Sequence, residues 1–197
     1  MVRDPKTALI VVDLQNDFIT GTLAVPEAEG IVENIRNLLK LKHYDYNFAT
    51  MDWHPELHES FASRWGDKPF TEFDGKMLWP DHCVAKSWGA ELHPLIDNDE
   101  FFDGIIYKGT FTSIDNYSGF TNGCESSGLI ETLRTLNVNE VDICGLATDY
   151  CVYETAKDAL NEGLKVNILD DLCKAVDFKE GQGKLLKLSK LGAQFPF

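Results

Sequence analysis

The chain has 197 residues, of which 44% are hydrophobic and 25% charged, an ordinary balance for a globular protein with a sizeable core. Its 18 basic and 32 acidic side chains give a formal net charge of −14, which argues against binding to nucleic acid or to an anionic membrane surface. The length predicts one domain spanning residues 1–197.

The sequence also argues against a membrane span and a secretory signal. No apolar run approaches the roughly 18 residues needed to cross a bilayer. The N-terminal segment carries acidic residues in and after its apolar run and has no small-residue cleavage site. The five cysteines are an odd number without CxxC spacing, which favours reduced thiols. We therefore expect a cytoplasmic protein, with other intracellular compartments left open.

Short apolar runs typical of buried strands alternate with helical patterns. The strand-like runs lie at 7–13, 46–52, 104–109, 141–146 and 164–171. Helical patterns lie at 31–39, 127–137, 149–163 and 183–192. This alternation predicts a single α/β domain, with three α/β/α layers and a mostly parallel central sheet. Residues 53–100 are rich in Pro, Gly, His and Trp without a sustained period, so we predict an insertion that carries a metal site or a lid.

Reactive side chains stand where the predicted strands end, which is where sites form in parallel sheets. Cys151 follows the strand 141–146 and is predicted in the first turn of a helix, with Thr148 or Asp149 as N-cap. Helix N–H groups would lower the pKa of its thiol and bind an oxyanion. The alternative is that Cys151 is a small hydrophobic residue of the core.

Asp13 and Lys108 lie at the ends of two other predicted strands. Asp13 is either a carboxylate that caps the following turn or a general base whose pKa is raised by apolar surroundings. Lys108 is either a surface charge or a cation that stabilises negative charge beside Asp13 and Cys151. The three residues together would supply the groups for nucleophilic acyl transfer.

A second candidate set consists of Asp52, His54 and the later His82. Asp52 and His54 alternate along extended chain and share a face, and His82 would complete a three-ligand metal site with open positions. Such ligands suit zinc, iron or manganese, and zinc is our first expectation. His58 is an outer candidate because Pro55 interrupts its helical spacing from His54.

Aromatic residues close to these candidates would form the walls of a pocket for a flat ligand, although most aromatic residues simply fill a core. The candidates are Phe18, Trp79, Tyr117 and Tyr150.

Nearly the whole chain resembles the nicotinamidases of the isochorismatase-like cysteine hydrolases. The resemblance rests on ALIVVDLQNDFITGTLAVP, MDWHPELHESFA, LWPDHCVAKSWGAELHP, YKGTFTSIDNYSGF and GLATDYCVYETAKDA, in the order of the family. One departure is Gly119, where many members have alanine, and we expect it to loosen a pocket wall.

The resemblance implies a catalytic triad of Asp13, Lys108 and Cys151, and a divalent metal on Asp52, His54 and His82. It implies a cis peptide before Ala147, with the N–H groups of Ala147 and Cys151 as the oxyanion hole. The implied reaction converts nicotinamide and water to nicotinate and ammonia through a thioester, as part of NAD recycling. The partner is then a small molecule, and a homo-oligomer is left open.

Three alternatives remain at this point. The first is a related amidase on the same scaffold that cleaves pyrazinamide, a carbamoyl or a ureido compound. The second is a metal-binding homologue without turnover. A redox role for Cys144 and Cys151 is the third, and it is disfavoured by the absence of CxxC spacing.

Overall fold

The structure is a computed structural model that describes residues 6–196. Five parallel strands form the central sheet: β1 (Lys6–Val12), β2 (Tyr46–Asp52), β5 (Gly104–Lys108), β8 (Val138–Leu146) and β9 (Lys165–Lys174). Their spatial order is β5-β2-β1-β8-β9, so β1 lies in the middle. Two short antiparallel hairpins stand apart from this sheet: β3 (Thr71–Phe73) with β4 (Lys76–Leu78), and β6 (Thr121–Asn122) with β7 (Glu125–Ser126).

Six α-helices occur among the described residues: α1 (Asn16–Ile19), α2 (Glu29–Lys40), α3 (Ala62–Trp65), α4 (Leu129–Thr135), α5 (Tyr153–Asn161) and α6 (Phe178–Leu191). Successive side chains of β1 from Ala8 to Val12 are all fully buried, so both faces of the sheet are covered. The predicted three-layer α/β/α fold with a parallel central sheet is confirmed.

Two elements differ from the predicted boundaries. The strand β9 continues to Lys174, beyond the predicted end at 171, because it stays paired with β8 through Lys174. The helix α6 begins at Phe178 rather than near 183, since the side chain of Asp177 accepts a hydrogen bond from the Glu180 N–H and caps the first turn. The pattern at 183–192 therefore marks only the second part of this helix.

Residues 53–100 contain only short elements, which are α3, the β3–β4 hairpin and a 3₁₀ turn at Trp88–Ala90. Across residues 6–196, no helix has both the length and the apolar character needed to cross a membrane.

Candidate active site

Lys108 is the centre of the candidate site. Its side chain is fully buried at the end of β5, and its Nζ lies 2.8 Å from Asp13 Oδ2 and 3.4 Å from Cys151 Sγ. The ammonium also contacts the carboxylate of Asp52. One oxygen of each carboxylate and Cys151 Sγ all lie within 4.8 Å of one another. The structure thus brings Asp13, Lys108 and Cys151 together, from three different strand ends.

The three groups influence one another strongly because they share a buried, low-dielectric space. Burial would lower the pKa of Lys108, but the carboxylates of Asp13 and Asp52 raise it well above its ordinary value. Burial raises the pKa of Asp13, and Lys108 opposes that effect. Burial likewise raises the pKa of the Cys151 thiol, which corrects the expectation that helix N–H groups lower it. The resting site therefore holds a cationic lysine and a protonated thiol.

Asp13, the first residue after β1, is held in place by Thr50 of β2. Its backbone is in the left-handed region (φ 48°), and its N–H donates to Thr50 O at 3.1 Å. The Thr50 hydroxyl donates to Asp13 Oδ1 at 2.6 Å, which leaves Oδ2 for the lysine. Gly119 packs against Thr50, since a methyl group at position 119 would lie 2.7 Å from Thr50 Cγ2. Gly119 thus leaves room for the threonine that holds Asp13.

The turn that carries Cys151 differs from the predicted helix N-terminus. Residues Thr148–Val152 form a π-helical turn, and α5 begins only at Tyr153. Neither Thr148 nor Asp149 caps this helix, so that prediction is wrong. The carboxylate of Asp149 instead accepts the N–H groups of Val176 at 3.0 Å and Asp177 at 2.8 Å. Asp149 therefore fastens the Cys151 turn to the segment before α6.

The peptide between Leu146 and Ala147 is cis, as the resemblance implied. Just before it, Gly145 has φ 114°, and a methyl group there would lie 2.1 Å from the carbonyl oxygen of Val12. Only glycine fits this close approach of two backbones. The approach brings the end of β8, and with it Cys151, next to the end of β1.

The three predicted metal ligands meet beside the triad. One ligand atom from each of Asp52, His54 and His82 lies within 4.8 Å of the others, and all three residues are buried. His54 Nδ1 lies 3.0 Å from Gly109 O, and His82 Nδ1 lies 2.7 Å from Pro80 O.

Because a carbonyl oxygen only accepts, each Nδ1 must carry a hydrogen, and in the neutral form of each ring Nε2 then presents a lone pair. Burial lowers the pKa of His82 to about 4, which keeps its ring neutral. Burial alone would raise the pKa of Asp52, but Lys108 and His54 hold it well below its usual range. Burial alone would lower the pKa of His54, but the carboxylate of Asp52 raises it above its ordinary value, so His54 must lose a proton before it binds a metal. A carboxylate and two imidazoles are a donor set that fits a divalent transition metal once both rings are neutral.

His58 lies beside the metal set, with its ring centroid 4.3 Å from that of His54. Its Nε2 lies 3.2 Å from Ile114 O and therefore donates a hydrogen bond. Its Nδ1 then accepts from the Ser60 hydroxyl at 2.8 Å. Both ring nitrogens are engaged, so His58 packs next to the candidate metal ligands without offering them a free lone pair.

A pocket opens onto the thiol of Cys151. The predicted aromatic residues Phe18, Trp79, Tyr117 and Tyr150 all line it, and Trp79 Nε1 donates to the Tyr117 hydroxyl at 3.2 Å. The pocket is also lined by Leu23, Val25, Asp52, His82, Ala147, Cys151 and Val176. Its walls are thus aromatic and aliphatic, while the Cys151 thiol and two candidate metal ligands add polar atoms.

Sequence reasoning missed several residues of this neighbourhood. Leu23, Val25 and Val176 line the pocket, but as ordinary aliphatic residues they carry no pattern that would reveal it. Gln15 and Asp17 are buried polar residues that follow Asp13 directly. These two residues could have been found from the sequence, because polar side chains that follow a predicted strand end closely are candidates for a site there.

Comparison with known proteins defines the class. The family model described as the isochorismatase domain matches residues 7–195, so the chain belongs to the isochorismatase family.

Within this family, the chain is 40% identical over 200 residues to the nicotinamidase of Escherichia coli, covering 96% of this chain and 93% of that protein. It superimposes with a TM-score of 0.83 and 37% identity on the pyrazinamidase of Pyrococcus horikoshii, solved in complex with zinc, over 98% of this chain and 99% of the other. The PnC1 protein of L. infantum, solved in complex with nicotinate, superimposes with a TM-score of 0.87 and 34% identity. The match covers 100% of this chain and 94% of that protein.

Proposed function

We propose that the protein is a metal-dependent cysteine amidohydrolase that converts nicotinamide and water to nicotinate and ammonia. The observation that carries the proposal is the position of the buried Lys108 ammonium, in contact with Asp13, Asp52 and Cys151 at once. This arrangement joins a base, a nucleophile and a metal ligand at the inner end of one pocket, which Asp52 and Cys151 line. The similarity to nicotinamidases along nearly the whole chain supports the choice of substrate.

In the first half of the reaction, Asp13 accepts the thiol proton of Cys151, and the sulfur attacks the carboxamide carbon. The S–C bond forms and the carbonyl oxygen gains negative charge, which the N–H groups of Ala147 and Cys151 stabilise. Asp13 then returns the proton to the nitrogen. The C–N bond breaks and ammonia leaves a thioester on Cys151.

Lys108 makes the proton transfer favourable. Formation of a thiolate inside a buried pocket is unfavourable by itself, but the ammonium lies 3.4 Å from the sulfur and compensates the new charge. The same ammonium is also paired with Asp52. Lys108 therefore acts as a fixed cation rather than as a proton donor.

In the second half, water enters the position that ammonia vacates. Asp13 removes a proton from this water, the oxygen attacks the thioester carbon, and the S–C bond breaks. The proton on Asp13 returns to the thiolate, and the acid leaves as nicotinate after its carboxyl proton passes to the released ammonia. Substrate and water are then fully accounted for in nicotinate and ammonium.

The aromatic walls orient the substrate ring. Phe18 and Trp79 are almost completely buried and flank the pocket, so a pyridine ring between them would direct its carboxamide to Cys151. Asp52, His54 and His82 would hold the metal, which we take to be zinc, at the same pocket. When bound, the metal would act as a Lewis acid that binds the ring nitrogen of the substrate, directly or through a water molecule.

The direct test is ammonia release from nicotinamide by the purified, zinc-loaded protein. We expect turnover in the wild type and none above background in Cys151→Ala. The matched control is Cys144→Ala, a buried cysteine within β8 that should retain turnover. Wild-type protein that releases no ammonia would refute the function, and turnover by Cys151→Ala would refute the thioester route.

Pyrazinamide is the second candidate substrate, favoured by the similarity to the pyrazinamidase of Pyrococcus horikoshii. Its ring also offers a nitrogen and a carboxamide to the same flat pocket. A comparison of kcat/KM for the two amides distinguishes a nicotinamide-selective pocket from one that accepts both. Hydrolysis of a carbamoyl or ureido compound alone would contradict both candidates.

A further inference from the structure

The side chain of Gln15 completes the central sheet at the candidate metal ligand Asp52. Strands β1 and β2 pair in parallel as far as Val12 and Thr50, and the chain then turns away at Asp13. Beyond that point, Gln15 Oε1 accepts the N–H of Asp52, and Gln15 Nε2 donates to its carbonyl, each at 2.8 Å. A side-chain amide carries the same donor and acceptor as a peptide group. The amide of Gln15 therefore makes the two hydrogen bonds to Asp52 that the backbone of β1 would make if β1 continued beside β2.

The same amide ties Asp52 to the loop that follows His82. The second hydrogen of Gln15 Nε2 is donated to Ala90 O at 2.8 Å, so both amide hydrogens are used. Gln15 is fully buried, and its backbone forms an antiparallel bridge with Leu92. A single side chain therefore connects the end of β2, which carries Asp52, to the loop that follows His82.

Asp17 holds the segment that carries His82. Its Oδ2 accepts the N–H of Cys83, the residue directly after His82, at 2.8 Å, and its Oδ1 accepts the N–H of Thr22 at 3.1 Å. The carboxylate is buried and fits tightly, because a methyl group at Gly89 would lie 1.9 Å from Oδ2. The tight fit leaves the His82 segment little freedom to shift.

We infer that Gln15 and Asp17 are positioning residues that set the separation between Asp52 and His82, and hence the affinity of the protein for its metal. The inference rests on the metal site of the proposed function and adds the residues that give this site its geometry. Partners that orient metal ligands typically change metal affinity about 10- to 100-fold when they are removed. We expect Gln15→Met, which preserves side-chain length but removes all three hydrogen bonds, to fall in that range.

The test uses metal-free protein titrated with zinc against a chromophoric chelator, and with cobalt, whose absorption bands report ligand geometry. Gln15→Met should bind zinc about 10- to 100-fold more weakly and show shifted cobalt bands. Gln15→Glu, which keeps the acceptor for the Asp52 N–H but loses the donors, and Asp17→Asn should show the same changes to a smaller extent. Asn167→Leu is the matched control, because this buried amide donates to Glu140 and Asp142 instead.

Loss of stability alone would affect Gln15→Met and Asn167→Leu alike, whereas weaker zinc binding and altered cobalt bands should be confined to the positioning variants. Wild-type affinity and spectra in folded Gln15→Met or Gln15→Glu would overturn the inference, as would a wild type that binds no zinc. Ammonia release is measured separately: a wild type that binds zinc but does not hydrolyse nicotinamide refutes the proposed reaction and leaves the positioning result intact.

Discussion

Lys108 Nζ lies 3.4 Å from Cys151 Sγ, although Lys108 ends β5 and Cys151 lies in the turn after β8, with β2 and β1 between these two strands. The lysine side chain reaches across the ends of these two inner strands. On its way it pairs with Asp52 at the end of β2 and Asp13 after β1. The contact with the sulfur and the two ion pairs thus depend on one fully buried ammonium.

Replacement of Lys108 by methionine should reduce both activity and stability. The variant leaves two buried carboxylates without their cation, and loss of one partner of a buried pair typically costs about 3–5 kcal/mol of unfolding free energy. We expect ammonia release to fall by roughly 10²-fold or more, since the thiolate loses its compensating charge. Urea unfolding and initial rates provide the two measurements.

The matched control for this substitution is Lys165→Met. Lys165 is exposed and pairs with Glu140 at 3.1 Å, so its loss should change stability by about 1 kcal/mol or less. Equal stability of the Lys108 and Lys165 variants would contradict the interpretation of Lys108 as a buried counter-ion.

Gly145→Ala should disturb the end of β8 where it approaches β1. The added methyl group would lie 2.1 Å from Val12 O at a backbone φ of 114°, and neither backbone can move without breaking sheet pairing. We expect a loss of about 3 kcal/mol or more in thermal or urea unfolding, with a parallel loss of activity. Gly30→Ala is the control, since nothing lies within 4 Å of its added methyl group in α2, and it should be neutral or stabilising by up to about 1 kcal/mol.

Most of the fold, and the convergence of Asp13, Lys108 and Cys151, could be predicted because the signals are local. An apolar run followed by Asp13, Asp52 or Lys108 places each side chain at a strand end, and parallel strands bring these ends to one edge. The role of Gln15 could not be predicted, because its amide meets the Asp52 backbone 37 positions away through a gap in strand pairing. The turn at Cys151 was missed for a related reason, since the carboxylate of Asp149 is used by a distant segment rather than as a helix cap.

Removal of the metal should abolish nicotinamide turnover reversibly. We expect chelated wild-type protein to lose ammonia release and to recover it when zinc is added, because Asp52, His54 and His82 are buried together and backbone carbonyls orient both imidazole rings. His82→Ala should remain inactive at the same zinc concentration and bind zinc at least about tenfold more weakly. His93→Ala, outside the pocket, should behave like the wild type. Full activity in chelated protein with no measurable metal would contradict the assignment of the metal site.

Gly119→Ala tests how Thr50 supports the base. The new methyl group would lie 2.7 Å from Thr50 Cγ2, so it should push the threonine and lengthen its 2.6 Å hydrogen bond to Asp13. We expect kcat to fall about tenfold with a smaller change in KM, since Thr50 does not line the pocket.

Thr50→Ser provides the compensating change, because serine keeps the hydroxyl and lacks the crowded methyl group. In the Gly119→Ala background it should restore most of kcat, while in the wild-type background it should have little effect. Such coupling between two contacting residues is what a double-mutant cycle measures. Additive effects of the two substitutions on kcat would mean that Gly119 acts on the site by a route other than the Thr50–Asp13 hydrogen bond.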